Sequence, residues 1–194
     1  YSSGLVSPRS VQGQFSQKYY DSVAHLDGDI KSALASVPSE PPSVKKSGNQ
    51  AQYPVGTVVK VSPKGRTAYL VAIANFNSHG VANATFDDLK TALPSLWEFV
   101  ASAGSVESIV MPVLGTGFSR IPQTREEVIR EIVSSFVAAC SDRRFTGSLK
   151  IVMHPRDFYA HGVDIAELGR YLRHVCKYTQ FGLSSHQGAG TPLA

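Results

Sequence analysis

Little in this chain suits a metal centre, a disulfide framework or a membrane span. Only two cysteines occur in its 194 residues. Cys140 and Cys176 fall on predicted helices without metal-ligand spacing, so they read as buried free thiols of a reducing compartment. His154 and His161 also lack a metal-ligand context. No apolar run is long enough to cross a bilayer, so the chain reads as soluble. It starts at Tyr1 rather than at a methionine, which leaves room for a membrane segment or targeting signal upstream. Charge of one sign is sparse as well, with a net charge of +4. Lys45-Lys46 and Arg143-Arg144 make no long basic stripe with interleaved aromatics, so no nucleic-acid partner is expected. A mild positive field suits an anionic small ligand instead.

Several catalytic signatures are missing too. There is no Gly-x-Ser-x-Gly elbow. No lysine follows the glycine-rich stretch in the manner of a Walker A loop, which argues against an ATPase. Asp87 and Asp88 adjoin at one helix start and do not face each other as an acid pair. No residue is assigned a catalytic role.

What is present is a helix and strand alternation with one informative stretch, Ser108–Arg120. The apolar run Ser108-Ile109-Val110-Met111-Pro112-Val113-Leu114 reads as a buried strand. It ends in Gly115-Thr116-Gly117-Phe118-Ser119-Arg120. Two glycines there let main-chain N–H groups approach an anion closely. Open α/β sheets bind ligands at this carboxyl edge. Arg120 either adds a charge-assisted contact to a diphosphate or is a solvated loop arginine. Ser119 either donates to a phosphate or supports the turn.

The rest of the chain frames that loop. Residues 1–13 read as a loop. Phe15, Tyr19, Val23, Leu26, Ile30, Leu34 and Val37 recur at steps of three and four, which predicts one amphipathic helix over about 14–37. Pro38, Pro41 and Pro42 end it, and 38–53 is a polar connection. Gly56–Val61 and Thr67–Ala74 predict a hairpin. Thr85 caps a helix with Asp88 in its first turn, kinked or restarted at Pro94 and stopped at Gly104. A strand over 106–114 precedes the glycine loop. Thr124-Arg125-Glu126-Glu127 is a capping box, opening a helix with a strong apolar stripe. Leu149–Met153 is a short strand. Asp164-Ile165-Ala166-Glu167 caps a last helix, and 177–194 reads as a frayed tail. The order implies an α/β fold, a mixed sheet with helices on both faces.

Three further segments offer ligand contacts. Ser10-Val11-Gln12-Gly13-Gln14-Phe15 lies at a helix start, where unpaired N–H groups favour phosphate, though Ser10 also suits an ordinary cap. Asn75 or Asn77, after an apolar strand, either bonds a ribose hydroxyl or serves turn chemistry. In His154-Pro155-Arg156-Asp157-Phe158, Phe158 or Tyr159 would stack on an adenine and Asp157 would accept from it. The competing reading is a proline-bent strand end with its aromatic in the core.

The strand, proline, Gly-x-Gly loop and long helix of Val106–Val137 closely resemble the macro domain family, which binds ADP-ribose. Ser-Val-Gln-Gly-Gln-Phe, Lys-Tyr-Tyr and Tyr-Pro-Val-Gly-Thr look more specifically like the macro-like domain of Thoeris antiphage effectors, over most of residues 5–175. The resemblance implies a three-layer α/β/α domain over 1–176 with a central mixed sheet, its first strand upstream of the chain, and a flexible tail over 177–194. By it, Ser10, Gln12, Gly13, Gln14 and Phe15 form the first diphosphate loop. Gly115, Thr116, Gly117, Phe118, Ser119 and Arg120 form the second. The adenine contacts of Asp157 and Phe158 and the ribose contact of Asn75 rest on the residue reading above. Asp27-Gly28-Asp29-Ile30 looks like the family's adenine-binding Gly-Asp-Ile, yet it lies inside a helical pattern. Ser119-Arg120 replaces the glycine that usually ends the second loop.

The resemblance further implies a sensor without chemistry or cofactor. Its ligand is ADP-ribose or a conjugate such as histidine-ADP-ribose, made by a TIR-domain partner. Binding activates an attached membrane-disrupting part. The domain is then cytoplasmic, tethered to the inner membrane through an upstream segment, and possible as a homo-oligomer. An ADP-ribose hydrolase or deacylase is the alternative.

Overall fold

The computed structural model describes residues 6–40, 51–76, 81–104, 106–115 and 121–179, with Phe76 and Asp157 described through their backbone alone. Two helices open it, α1 (Val11–Tyr19) and α2 (Val23–Ala33). The predicted single helix over 14–37 is therefore two. Tyr20 is extended, and the Ser22 side chain caps α2 by accepting from His25 N–H. An N-cap serine stops one helix and starts another even when the apolar rhythm continues across it. Asp27–Ile30 lies within α2, as the helical pattern requires.

The predicted hairpin forms as β1 (Val58–Val61) and β2 (Ala68–Val71), antiparallel, with a tight turn over Pro63–Gly65. Its two faces point into different cores. Val59 and Val61 pack with Leu26, Ile30 and Leu34 of the α2 side. Val58 packs with Leu89, Leu93 and Trp97 of α3 (Phe86–Ser102). The hairpin is thus sandwiched between helices, as period-two alternation with apolar residues on both faces dictates. Two short strands, β3 (Asn75–Phe76) and β4 (Ala82–Asn83), pair antiparallel just before α3.

Thr85 and Asp88 form a full capping box on α3. Pro94 sits inside this helix without ending it, so the helix does not restart there. Proline in a helix interior costs about 3 kcal/mol through its missing N–H. Leu89, Leu93, Leu96, Trp97 and Val100 are all buried on this helix. Each is worth roughly 1.5–3 kcal/mol of burial, so the apolar face outweighs the lost bond. Gly104, at φ +106°, follows the helix end as expected.

Strand β5 (Val106–Pro112) pairs in parallel with β6 (Thr146–Val152), from Val106 opposite Thr146 to Pro112 opposite Val152. Both differ by a few residues from the predicted 106–114 and 149–153. Between them runs α4 (Arg125–Asp142), opened by the Thr124–Glu127 capping box. Its Val128 and Ile132 pack toward α3, while Ile129, Val133 and Val137 pack with Leu168 of α6 (Ile165–Tyr178). Trp97 Nε1 donates to Ser135 Oγ at 3.0 Å and joins α3 to α4. Helix α6 extends past residue 176, the expected domain limit.

An unpredicted helix, α5 (Pro155–His161), stands where the competing reading placed a bent strand end. Proline fits its first position, and Gly162 closes it at φ +64°. Parallel and antiparallel ladders with helices packed on them make this an α/β fold. Among the described residues the strands form three two-stranded ladders. No described helix is long and apolar enough to cross a membrane.

Candidate functional site

The parallel pair sets the geometry. Val113 N–H donates to Val152 carbonyl at 3.3 Å, one step beyond the last paired residues. Both chains therefore leave at one carboxyl edge. From β5 comes the glycine loop, and from β6 comes α5 with its aromatics.

Gly115 begins the loop at φ +71°. A Cβ there would overlap the side chain of Ile121. Ile121, only 6% exposed, is fixed in the core, and its N–H donates to Gly115 carbonyl at 3.0 Å. Glycine is thus required twice, for the left-handed backbone and for the close approach. The loop's two ends are held together on the core. Thr116, Gly117, Phe118, Ser119 and Arg120 lie outside the described residues.

At the same edge, His154 caps α5, its Nδ1 accepting from Arg156 N–H at 3.1 Å. Phe158 is 46% and Tyr159 82% exposed, packed edge to face at 5.0 Å between centroids. Phe158 is therefore not the core aromatic of a bent strand. It offers a ring to solvent in the helix that follows β6, the strand paired with β5. The side chain of Asp157 lies outside the description.

The first loop behaves differently from a bare anion cradle. Ser10 Oγ accepts from Gly13 N–H at 3.0 Å and donates to Ser7 carbonyl at 2.7 Å. A Cβ on Gly13 would overlap the Ser7 carbonyl. The close approach that Gly13 permits is therefore occupied by the chain's own backbone. Gln14 Nε2 donates to Arg9 carbonyl. Phe15 meets the Tyr19 ring at a tilt and the Tyr20 ring edge-on, and packs with the α2 core, a structural role. Gln12 borders a crevice of about 70 Å³ over Leu26 and Ile30, far below the several hundred cubic ångströms of a nucleotide pocket. Asn75 pairs with Asn83 across β3 and β4, and its Oδ1 accepts from Gln52 Nε2 at 3.3 Å. Asn77 lies outside the described residues. The structure thus brings the Gly115 loop and the start of α5 to one edge, and gives Ser10, Gly13, Gln14, Phe15 and Asn75 internal partners.

The pattern reading misses α5 and a recess beside the glycine loop. The signal for α5 is local: proline just inside the start and glycine just past the end. The recess, about 520 Å³, is lined by Asn83, Thr85, Asp87 and Gln123 among others. It joins segments far apart in sequence, which no local pattern reveals. Among the described residues no cluster of three or more metal-ligating side chains occurs.

Helix-layered strands with a glycine loop and exposed aromatics at one carboxyl edge define a small-molecule-binding α/β module. The family described as Thoeris protein ThsA, Macro domain, matches residues 1–154, and the chain belongs to it. That family gives the chain a ligand-binding, sensing role in antiphage defence. Its match ends before Asp157 and Phe158. No curated protein matches the chain.

Proposed function

We propose that this domain senses an ADP-ribose-derived nucleotide signal, such as histidine-ADP-ribose, without transforming it. The observation that carries the reading is the shared edge: the Gly115 loop and the Phe158–Tyr159 pair both leave the carboxyl ends of β5 and β6. In this reading the loop from Gly115 to Arg120 holds the diphosphate through main-chain N–H groups. Phe158 stacks on the adenine and Asp157 accepts from it. The N–H groups of Val11 and Gln12, at the start of α1, add positive potential for a phosphate. No cofactor takes part. Binding shifts an attached membrane-disrupting part toward its active state, which requires the ligand to prefer that state. The signal comes from a TIR-domain partner, and the domain is tethered to the inner membrane from the cytoplasmic side.

Calorimetry with ADP-ribose and histidine-ADP-ribose tests this directly. Saturable binding of either, with the ligand recovered intact after long incubation, is the expected result. Turnover to products would replace the sensor with a hydrolase or deacylase. Binding of neither would overturn the nucleotide reading.

A further inference from the structure

Helix α6 carries more on its surface than its packing uses. Leu168, Tyr171 and Val175 pack against the α4 side. At about 100° per residue, Arg170, Arg173 and Lys177 fall on the opposite side as one stripe. Ile165, Leu172 and Cys176 fall between the two. All three cations are exposed, and none has a carboxylate partner among the described residues. Lys177 Nζ rests over the Tyr178 ring at 5.3 Å. The helix has one carboxylate, Glu167, and Arg130 of α4 already takes it.

A solvated helix face ordinarily mixes charges of both signs. This one keeps a single sign over about two turns, so it projects a positive field with no internal answer. Ile165 and Leu172 stay exposed beside the cations, and Tyr178 is exposed at the helix end. That combination suits an anionic bilayer. Headgroups take the cations, and the apolar side chains enter the acyl boundary. A nucleic-acid backbone would also take the cations, but it would leave Ile165 and Leu172 in water. The family match ends at residue 154, so this surface lies outside the matched region.

We propose that the outer face of α6 docks this domain on an anionic membrane surface. The helix lies on the bilayer and does not cross it. Docking needs no bound nucleotide, so it stands or falls separately from the sensor reading. A domain tethered to that membrane would rest against it rather than hang from it.

Co-sedimentation of the full chain with vesicles tests the assignment. Wild type should pellet with phosphatidylcholine and phosphatidylglycerol mixed in equal parts, and salt should release part of it. It should stay in solution with phosphatidylcholine alone. Each cation near such a surface is worth about fivefold in affinity. Arg170→Ala, Arg173→Ala and Lys177→Ala combined should therefore weaken binding about a hundredfold. Alanine favours the helix, and an unchanged melting temperature checks that the variant is folded. Removing the same charge elsewhere, by Lys18→Ala, Lys31→Ala and Lys60→Ala combined, should leave most of the binding. Equal losses in the two triple variants, or no binding of wild type to the mixed vesicles, would overturn the proposal. A second readout needs no variant. A polarity-sensitive dye on the exposed thiol of Cys176 should shift to the blue on the mixed vesicles. Binding without that shift puts another face on the lipid and overturns the assignment. Tighter binding to a mixed-sequence RNA than to the vesicles would overturn it in favour of a nucleic-acid surface.

Discussion

Alanine at position 115 would place a methyl group against Ile121 at a backbone φ of +71°. Strain of this kind costs about 1–3 kcal/mol. Gly115→Ala should lower the thermal midpoint and weaken nucleotide binding together, as read by melting and calorimetry. A variant that melts and binds like wild type would remove Gly115 from the site. Glu127 offers a pH test at the same scale. The Thr124 backbone N–H, and then its hydroxyl, hold the Glu127 carboxyl below its ordinary value. A lowered folded value means the stabilisation is present above the usual carboxylate range and is lost as pH falls through the lowered value. The melting gap between wild type and Glu127→Gln should therefore be widest near neutral pH and close in acid. A gap that ignores pH would refute the charge-based cap.

Between elements, two side-chain bridges tie α4 to its neighbours. Ser135→Ala would leave the buried Trp97 N–H without its acceptor, at about 1–3 kcal/mol in urea unfolding. On the other side, Arg130 pairs with Glu167 and lies over the Tyr171 ring at 4.6 Å. Both side chains of the pair are partly solvated. Arg130→Ala should therefore cost only about 1 kcal/mol, and a double-mutant cycle with Glu167→Ala should isolate the ionic share. What the sequence shows at this scale follows from locality. The caps at Thr85, Thr124 and Asp164 are visible because donor and acceptor lie three residues apart. The break at Tyr20–Ser22 is hidden because the apolar period runs through it. Pro94 misleads because its cost is local and its compensation, the buried face of α3, is tertiary. The glycine loop is legible as a motif. That Gly13 sits under Ser7, or that Gln123 faces the start of α3, depends on chain segments meeting in space.

For the molecule as a whole, ligand binding and stability are linked. A nucleotide held by the native state alone should raise the melting temperature with concentration, adding about 2.7 kcal/mol of stability at a hundredfold excess over Kd. No rise with any ADP-ribose compound would count against the sensing role proposed above. One residue makes such changes easy to watch. The chain has a single tryptophan, and Trp97 is 1% exposed in the same core that holds Ile121. Its emission therefore comes from one dry, hydrogen-bonded indole. A red shift signals the parting of α3 from α4, and a change at constant colour signals movement conveyed from the anchored end of the glycine loop. The protein carries its own optical gauge, and it needs no dye.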